Sequence, residues 1–423
     1  MKSLLEIYRQ GMGPHSTLNL VPYQACIDAA KEVRLKRIKV NHVQVHLYNE
    51  YARLEKQAGI AQDIAAAFAV SNFKFVITTD KPCPPAVKDE PYVFDIVVYG
   101  SPTEALYRHR VIATGGGGYR FGKSTEPEGL PFDTFKEVQA WFKANPKKTY
   151  LDFALQGNTR EEIEATFYKG FNLAEIALRR GLSKYGELNV PDKEIHYLRR
   201  ARSIWLHDEN FLSDAENRNR VISAYAYAIG EQICEKAIVV SAPTLCTTPV
   251  VWAIALYLVN ECNVPSEKLL QGLCASYIFA SLVDSGASLA SVKVGCQGPM
   301  GTACGMAAVM TAVALYDADI DECGRAFGMA LEHSLGIICG ATTSLPIIPC
   351  IQRCSAFATR AYEIAVLNHC IMSTPELCRV DDLIAVLNDT GSDLIAKNKR
   401  LGVGGFLEHA PYSLKKPTPK DWE

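Results

Sequence analysis

An α+β fold is predicted, with a small α/β domain over residues 1–130 followed by a mostly α-helical domain over residues 131–423. Three observations predict it. Four β-branched segments fall in the first 120 residues, a Pro/Gly/charge-rich stretch follows at Gly122–Pro131, and helix-type apolar patterning runs from Asp214 to Thr390. The length of 423 residues is roughly three times a ~150-residue domain, so more than one domain is expected. A hydrophobic share of 48% against 21% charged residues excludes a disordered chain.

In chain order, Arg37–Tyr48, Phe73–Thr78, Tyr92–Gly100 and Leu106–Thr114 read as strands, from their β-branched content and partial period-two alternation. Glu55–Val70 between the first two reads as helical. The strands at 92–100 and 106–114 form a hairpin around Ser101-Pro102-Thr103. Gly115–Gly118 closes the last strand as a turn or as a backbone cradle for an anion, and no GK[ST] follows to make it a P-loop. Gly122–Pro131 is the linker. Beyond it, Asn158–Glu162 offers a capping-box start for a helix through about Arg180, with Gly181 as its stop. From Asp214 onward helix follows helix, separated by short breaks at 241–249, 295–301 and 336–350, and the tail Leu414–Glu423 reads as a solvated end.

Lys plus Arg number 44 against 46 Asp plus Glu, a formal net charge of −2, which leaves no footprint for nucleic acid or an anionic membrane. Glu6 and Arg9 interrupt the N-terminus before an apolar signal region can build, so a cytoplasmic protein is expected. Two uncharged stretches, 237–260 and 294–316, are long enough to span a bilayer at ~20 residues per span. The first carries Ser241, Pro243, Thr244 and Pro249 and the second Gln297, Pro299 and several glycines, so both read as buried core helices. Fourteen cysteines in such a chain do not suggest a disulfide framework. Twelve of them lie between Cys234 and Cys378, either as small buried hydrophobes or, for a few, as metal or cluster ligands.

The three helix breaks concentrate small, polar and sulfur-bearing residues where a helix N-terminus would expose unpaired N–H groups suited to anions. They are Val240–Thr244, Gly295-Cys296-Gln297-Gly298 and Cys339 through Cys350. Cysteine spacings of 43 (296 to 339) and 11 (339 to 350) are too wide for a zinc knuckle or a compact ferredoxin pattern. A three-cysteine cluster site assembled from separate loops stays open.

These residues resemble the iron–sulfur-dependent L-serine ammonia-lyases (L-serine dehydratases) over nearly the whole chain. Gly295-Cys296-Gln297-Gly298-x-x-Gly301-x-Ala303-Cys304-x-Met306-Ala307-Ala308 resembles the family's GCQ(G/A)EVG-x-ACSMAAA. Glu332–Gly336 is similar to EHNLG, and Cys339 and Cys350 match the cysteines of CDPV-x₇-C in order. Ser241–Thr244 resembles (S/T)APTN, and Asp389–Lys397 with Gly404-Gly405 resembles ETGKDMNAK…RGG. Gly11–Pro14 and Pro22 match the two ends of GIGPSSSHT-x-GP.

The resemblance implies a β-type domain at 1–130, an α-type domain at 131–423, and a [4Fe–4S] cluster held by Cys296, Cys339 and Cys350. It implies His15, Ser16, Thr17 and His333 as catalytic candidates, with Ser241, Thr244, Gly116 and Gly117 contacting a small amino-acid substrate, in a cytoplasmic homodimer. The reaction implied is β-elimination from L-serine or a related amino acid. A cysteine desulfidase-like lyase and a non-catalytic cluster-binding relative are the alternatives. Several positions depart from the family pattern. Leu18 and Ile60 stand where the family has histidines, Leu245 replaces an amide, and Gly340-Ala341-Thr342 replaces DPV. Cys246 and Cys354 stand in place of small or polar residues as a fourth ligand or reactive thiol. No cysteine follows Cys378 to cap the fourth iron, which is expected to be open. The altered loops predict weak turnover of free L-serine and a more apolar pocket.

Overall fold

The computed structural model describes residues 1–69, 71–121, 129–192, 196–339, 345–371, 378–395 and 398–399. Most of the linker stretch, Gly340-Ala341-Thr342, Gly404-Gly405 and the tail Leu414–Glu423 lie outside the described residues.

The chain is α+β, as predicted. Strand β1 (Gln10–Met12) leaves the first sheet-forming segment and pairs far along the chain. Strands β2 (His42–Leu47), β3 (Phe75–Thr78), β4 (Val93–Tyr99), β5 (Ala105–Gly115) and β6 (Gly118–Phe121) form a five-stranded sheet in the order β3-β2-β4-β5-β6. Its pairs are antiparallel except β2 with β3. All four predicted strands are present within a few residues, and β4 and β5 form the predicted hairpin. The central β4 is buried along nearly its whole length, so its one charge, Asp95, requires a partner. Arg110 supplies it with bonds of 2.9 and 3.0 Å. The predicted helix at 55–70 is two helices, Asn49–Ala58 and Ile60–Ala69, because Gly59 turns the chain with a φ of +62°.

The helical part starts as its capping box dictates. Thr159 accepts from the Glu162 N–H and the helix runs Arg160–Ser183, two residues past the glycine expected to stop it. Gly181 is instead buried against the backbone of Ala228, where any side chain would collide. Helix Gln297–Tyr316 lies at the centre, packed between Ser266–Gly286, Ile320–Glu332 and Cys350–Cys370. Among the described residues it is the one helix long and apolar enough to cross a membrane, and nearly all of it is buried by its neighbours. The other uncharged stretch supplies helix Thr248–Asn260, also buried on nearly every side.

Strand β7 (Ile238–Val240) pairs antiparallel with β1, with Gln10 opposite Val240. This two-stranded link seats the segment after residue 12 on the helical part. One buried cluster runs continuously from Met1 to Leu387.

Candidate active site

Cys296 is the N-cap of helix Gln297–Tyr316, Cys350 opens helix Cys350–Cys370, and Cys339 lies on the loop after Ile320–Glu332. The three are buried and pack with one another and Ile337, apart from the main core. The loop carrying Cys339 is pinned from several directions. Gln297 Oε1 accepts from the Gly336 N–H at 2.8 Å, and the Gln297 N–H donates to the Ile337 carbonyl at 3.1 Å. Arg353 Nη1 donates to the Ile338 carbonyl at 2.8 Å, and the Cys339 N–H donates to the Asn398 carbonyl at 2.8 Å. Gly301 permits this approach, since a methyl group there would strike the Ser334 hydroxyl.

Hydrogen bonding and burial disfavour ionisation of the Cys296 and Cys350 thiols. A hydrogen bond with Cys339, then burial, holds Cys296 well above the ordinary thiol range. Burial first, then Cys246 and Cys339, does the same for Cys350, and the Arg353 cation opposes both shifts. Among the described residues no three His, Cys, Asp or Glu side chains converge as ligands of a single metal ion. A cubane asks for something else, because each thiolate binds a different iron at its own corner. Three thiols from separate elements around a shared space, with a cation nearby to offset thiolate charge, fit that donor set.

The cavity that these cysteines share is also lined by His15, Ser16, Thr17, Gly116, Thr244 and Cys246. Leu289–Val292, Pro299 and Pro346 complete its wall. His15 caps the π-type turn Ser16–Leu20, and its Nδ1 accepts from the Leu18 N–H at 3.1 Å. Burial lowers its pKa to about 4, so the ring is neutral near pH 7 with its proton on Nε2. Ser16 Oγ accepts from the Leu245 N–H at 2.8 Å, leaving its own hydrogen free to donate. Gly116 adopts a φ of +55°, which brings its backbone close to Leu289.

Behind the turn lies a buried polar chain. The His15 N–H donates to Asn19 Oδ1 at 3.0 Å, and Asn19 Nδ2 donates to the Ala58 carbonyl at 2.9 Å and to Asp63 Oδ2 at 2.8 Å. Lys236 Nζ reaches both Asp63 oxygens, at 3.0 and 2.9 Å, and the Gly59 carbonyl at 3.1 Å. Burial pushes Asp63 up to about 7 against the pull of Lys236 and Asn19.

The family model for the serine dehydratase alpha chain matches residues 121–406. The chain belongs to that family. L-serine dehydratase TdcG of Escherichia coli (strain K12) is 26% identical over 464 aligned residues, covering 96% of this chain and 98% of that protein. L-serine dehydratase 2 of the same organism is 30% identical over 255 residues, 59% of this chain and 54% of that protein. The L-serine dehydratase of Helicobacter pylori (strain ATCC 700392 / 26695) is 33% identical over 189 residues, 44% and 41% of the two chains.

Against this family background, the structure brings His15, Ser16, Thr17, Gly116, Thr244, Cys296, Cys339 and Cys350 around one cavity. Three other candidates are elsewhere. Ser241 is occupied in the β1–β7 link, where its hydroxyl donates to the Ile7 carbonyl at 3.2 Å and accepts from the Arg9 N–H at 3.1 Å. Gly117 turns toward Leu20, and its carbonyl accepts from Arg9 Nη1 at 2.8 Å. His333 is exposed at the end of Ile320–Glu332, with Arg360 Nη2 3.3 Å from its Nδ1. Leu18, Ile60 and Leu245 do not make the cavity apolar, because all three are withdrawn fully into the main core. The apolar wall comes from Leu289, Ala290 and Val292, which sequence reasoning missed. Ser288–Ala290 is the short break between helices Ser266–Gly286 and Ser291–Val294, a fourth helix break beside the three that sequence singled out.

Proposed function

We propose that the chain is an L-serine ammonia-lyase-type enzyme that eliminates the β-substituent of L-serine or a related small amino acid, using a [4Fe–4S] cluster held by Cys296, Cys339 and Cys350. The observation that carries this reading is the single cavity lined by those three cysteines and by the His15-Ser16-Thr17 turn. When bound, the cluster would supply a Lewis-acidic iron for the substrate carboxylate and leaving group.

The chain's own residues orient the substrate. Ser16 keeps a free hydroxyl hydrogen and His15 an Nε2–H, two donors suited to a carboxylate or to a departing hydroxide. A pKa of about 4 makes His15 a poor proton acceptor at neutral pH, so its part is donation. Loss of the α-proton and β-hydroxyl as water gives an aminoacrylate, whose imine tautomer hydrolyses to a 2-oxo acid and ammonia. Residues 1–130 form the β-type part and 131–423 the α-type part, in a cytoplasmic homodimer.

Anaerobic reconstitution with iron and sulfide, followed by ammonia and 2-oxo acid measurements on L-serine, L-threonine and L-cysteine, tests the reading. Equal release of both products from at least one substrate is expected. Sulfide from L-cysteine alone would make the chain a desulfidase. No release from cluster-replete protein would make it a non-catalytic relative and overturn the proposal.

A further inference from the structure

A cubane has four irons, and the reading above assigns three thiolates, yet four cysteines line the cavity. The fourth, Cys246, sits in the short 3₁₀ turn Leu245–Thr247. It comes from a different element than the other three and lines the same cavity. Its turn is fixed on both flanks. The Leu245 N–H donates to Ser16 Oγ at 2.8 Å, and Cys354 Sγ donates to the Cys246 carbonyl at 3.1 Å. Thr244 Oγ1 lies 3.3 Å from Cys246 Sγ, holding the thiol on the cavity side of the turn.

Cys246 is partly exposed while the other three are buried, and the space it faces is the shared cavity. Cys354, by contrast, is buried behind the turn with its thiol committed to a backbone carbonyl, and it does not line this cavity.

Resting on the cluster reading, we propose that Cys246 is the fourth ligand of the substrate-free cluster, capping the iron that Cys296, Cys339 and Cys350 leave uncovered. Binding forms one Fe–S bond, displaces the solvent ligand of that iron and releases the Cys246 thiol proton, with no change in oxidation state. The cap replaces the open iron expected from the sequence. A substrate must displace the Cys246 thiolate to reach this iron, which makes the turn at 244–247 part of substrate entry.

The test compares the full-length wild-type protein with Cys246→Ala and Cys354→Ala, all reconstituted anaerobically with iron and sulfide. Iron content, Mössbauer spectra and electron paramagnetic resonance after brief air exposure are the readouts. Wild type and Cys354→Ala should hold four thiolate-bound irons and resist air. Cys246→Ala should display one distinct iron site and lose that iron to a three-iron form. Loss of all iron from Cys246→Ala with retention in Cys354→Ala also supports the assignment; loss from both marks a packing effect and overturns it. Identical spectra and air stability in wild type and Cys246→Ala overturn it too. Failure of wild type to take up a cluster, or full iron in a Cys296→Ala variant, defeats the underlying cluster reading instead.

Discussion

Replacing Lys236 by methionine tests the buried chain behind the His15 turn. The Asp63 side chain is fully buried and that of Lys236 is 6% exposed, so water cannot substitute for the lost ammonium. Methionine keeps most of the apolar stem and removes two bonds to the carboxylate and one to the Gly59 carbonyl. Only Asn19 then remains on Asp63. Breaking one side of a buried pair costs about 3–5 kcal/mol. Unfolding entropy for 423 residues is about 0.9 kcal/mol/K, so the melting temperature should fall by roughly 3–6 °C.

The pH dependence gives a sharper result. The folded chain holds the Asp63 proton up to about pH 7, while the unfolded chain releases it near the ordinary aspartate value of 3.8. The folded state therefore binds more protons between these values, and stability contributed by this group falls as pH rises through the window. Removing Lys236 removes the influences that pull Asp63 down, so its proton is held higher still. The gap between wild type and variant should be small in mild acid and widen as the pH rises through about 7 to 9. Tyr23, Tyr51 and Cys26 nearby are pushed upward by burial and stay neutral across this range. Calorimetric melting across pH measures it, and adding Asp63→Asn should recover much of the loss. A gap that widens toward acid, or no rescue by the second substitution, would refute the reasoning.

Four further outcomes are expected. Replacing Cys296, Cys339 or Cys350 singly by alanine should abolish the brown chromophore of the anaerobic protein, read by visible absorbance. His15→Gln should lower kcat by about 10²–10³, the usual effect of losing one well-placed donor. Because burial holds His15 near 4, the kcat profile of the unaltered enzyme should carry no inflection near 6.5 from this residue, which steady-state rates across pH check. Gln297→Ala strips the Gly336 N–H of its acceptor, costing about 1–3 kcal/mol, and should reduce iron retention without removing a ligand.

The strands, the Thr159 cap and the cysteine positions were legible because each depends on local pattern: period-two alternation, a capping box, a motif with fixed spacing. Side-chain direction was not. Leu18 belongs to the same turn as Ser16 and Thr17, yet it is buried in the core while they face the cavity, because a five-residue π-type turn distributes its residues around its axis. His333 adjoins a buried helix, but one step past its end places it in solvent. Ser241 could not be separated from Thr244 by sequence, since only the long-range β1–β7 pairing reveals that its hydroxyl is already used. The Asp63–Lys236 pair joins residues 173 apart and leaves no local signature.

The pairing of β1 with β7 also dictates an order of events on the ribosome. Gln10 waits for Val240, and at about 5–20 residues per second that partner is made roughly 10–50 s later. Until then the His15 turn packs only against its own N-terminal neighbours, and Cys350 is still further from being translated. The His15 and Gly116 side of the cavity is thus synthesised early and waits for the rest through most of elongation. Iron delivered before helix Cys350–Cys370 emerges would meet scattered thiols, so on the proposed reading a cluster would load only after that helix is made.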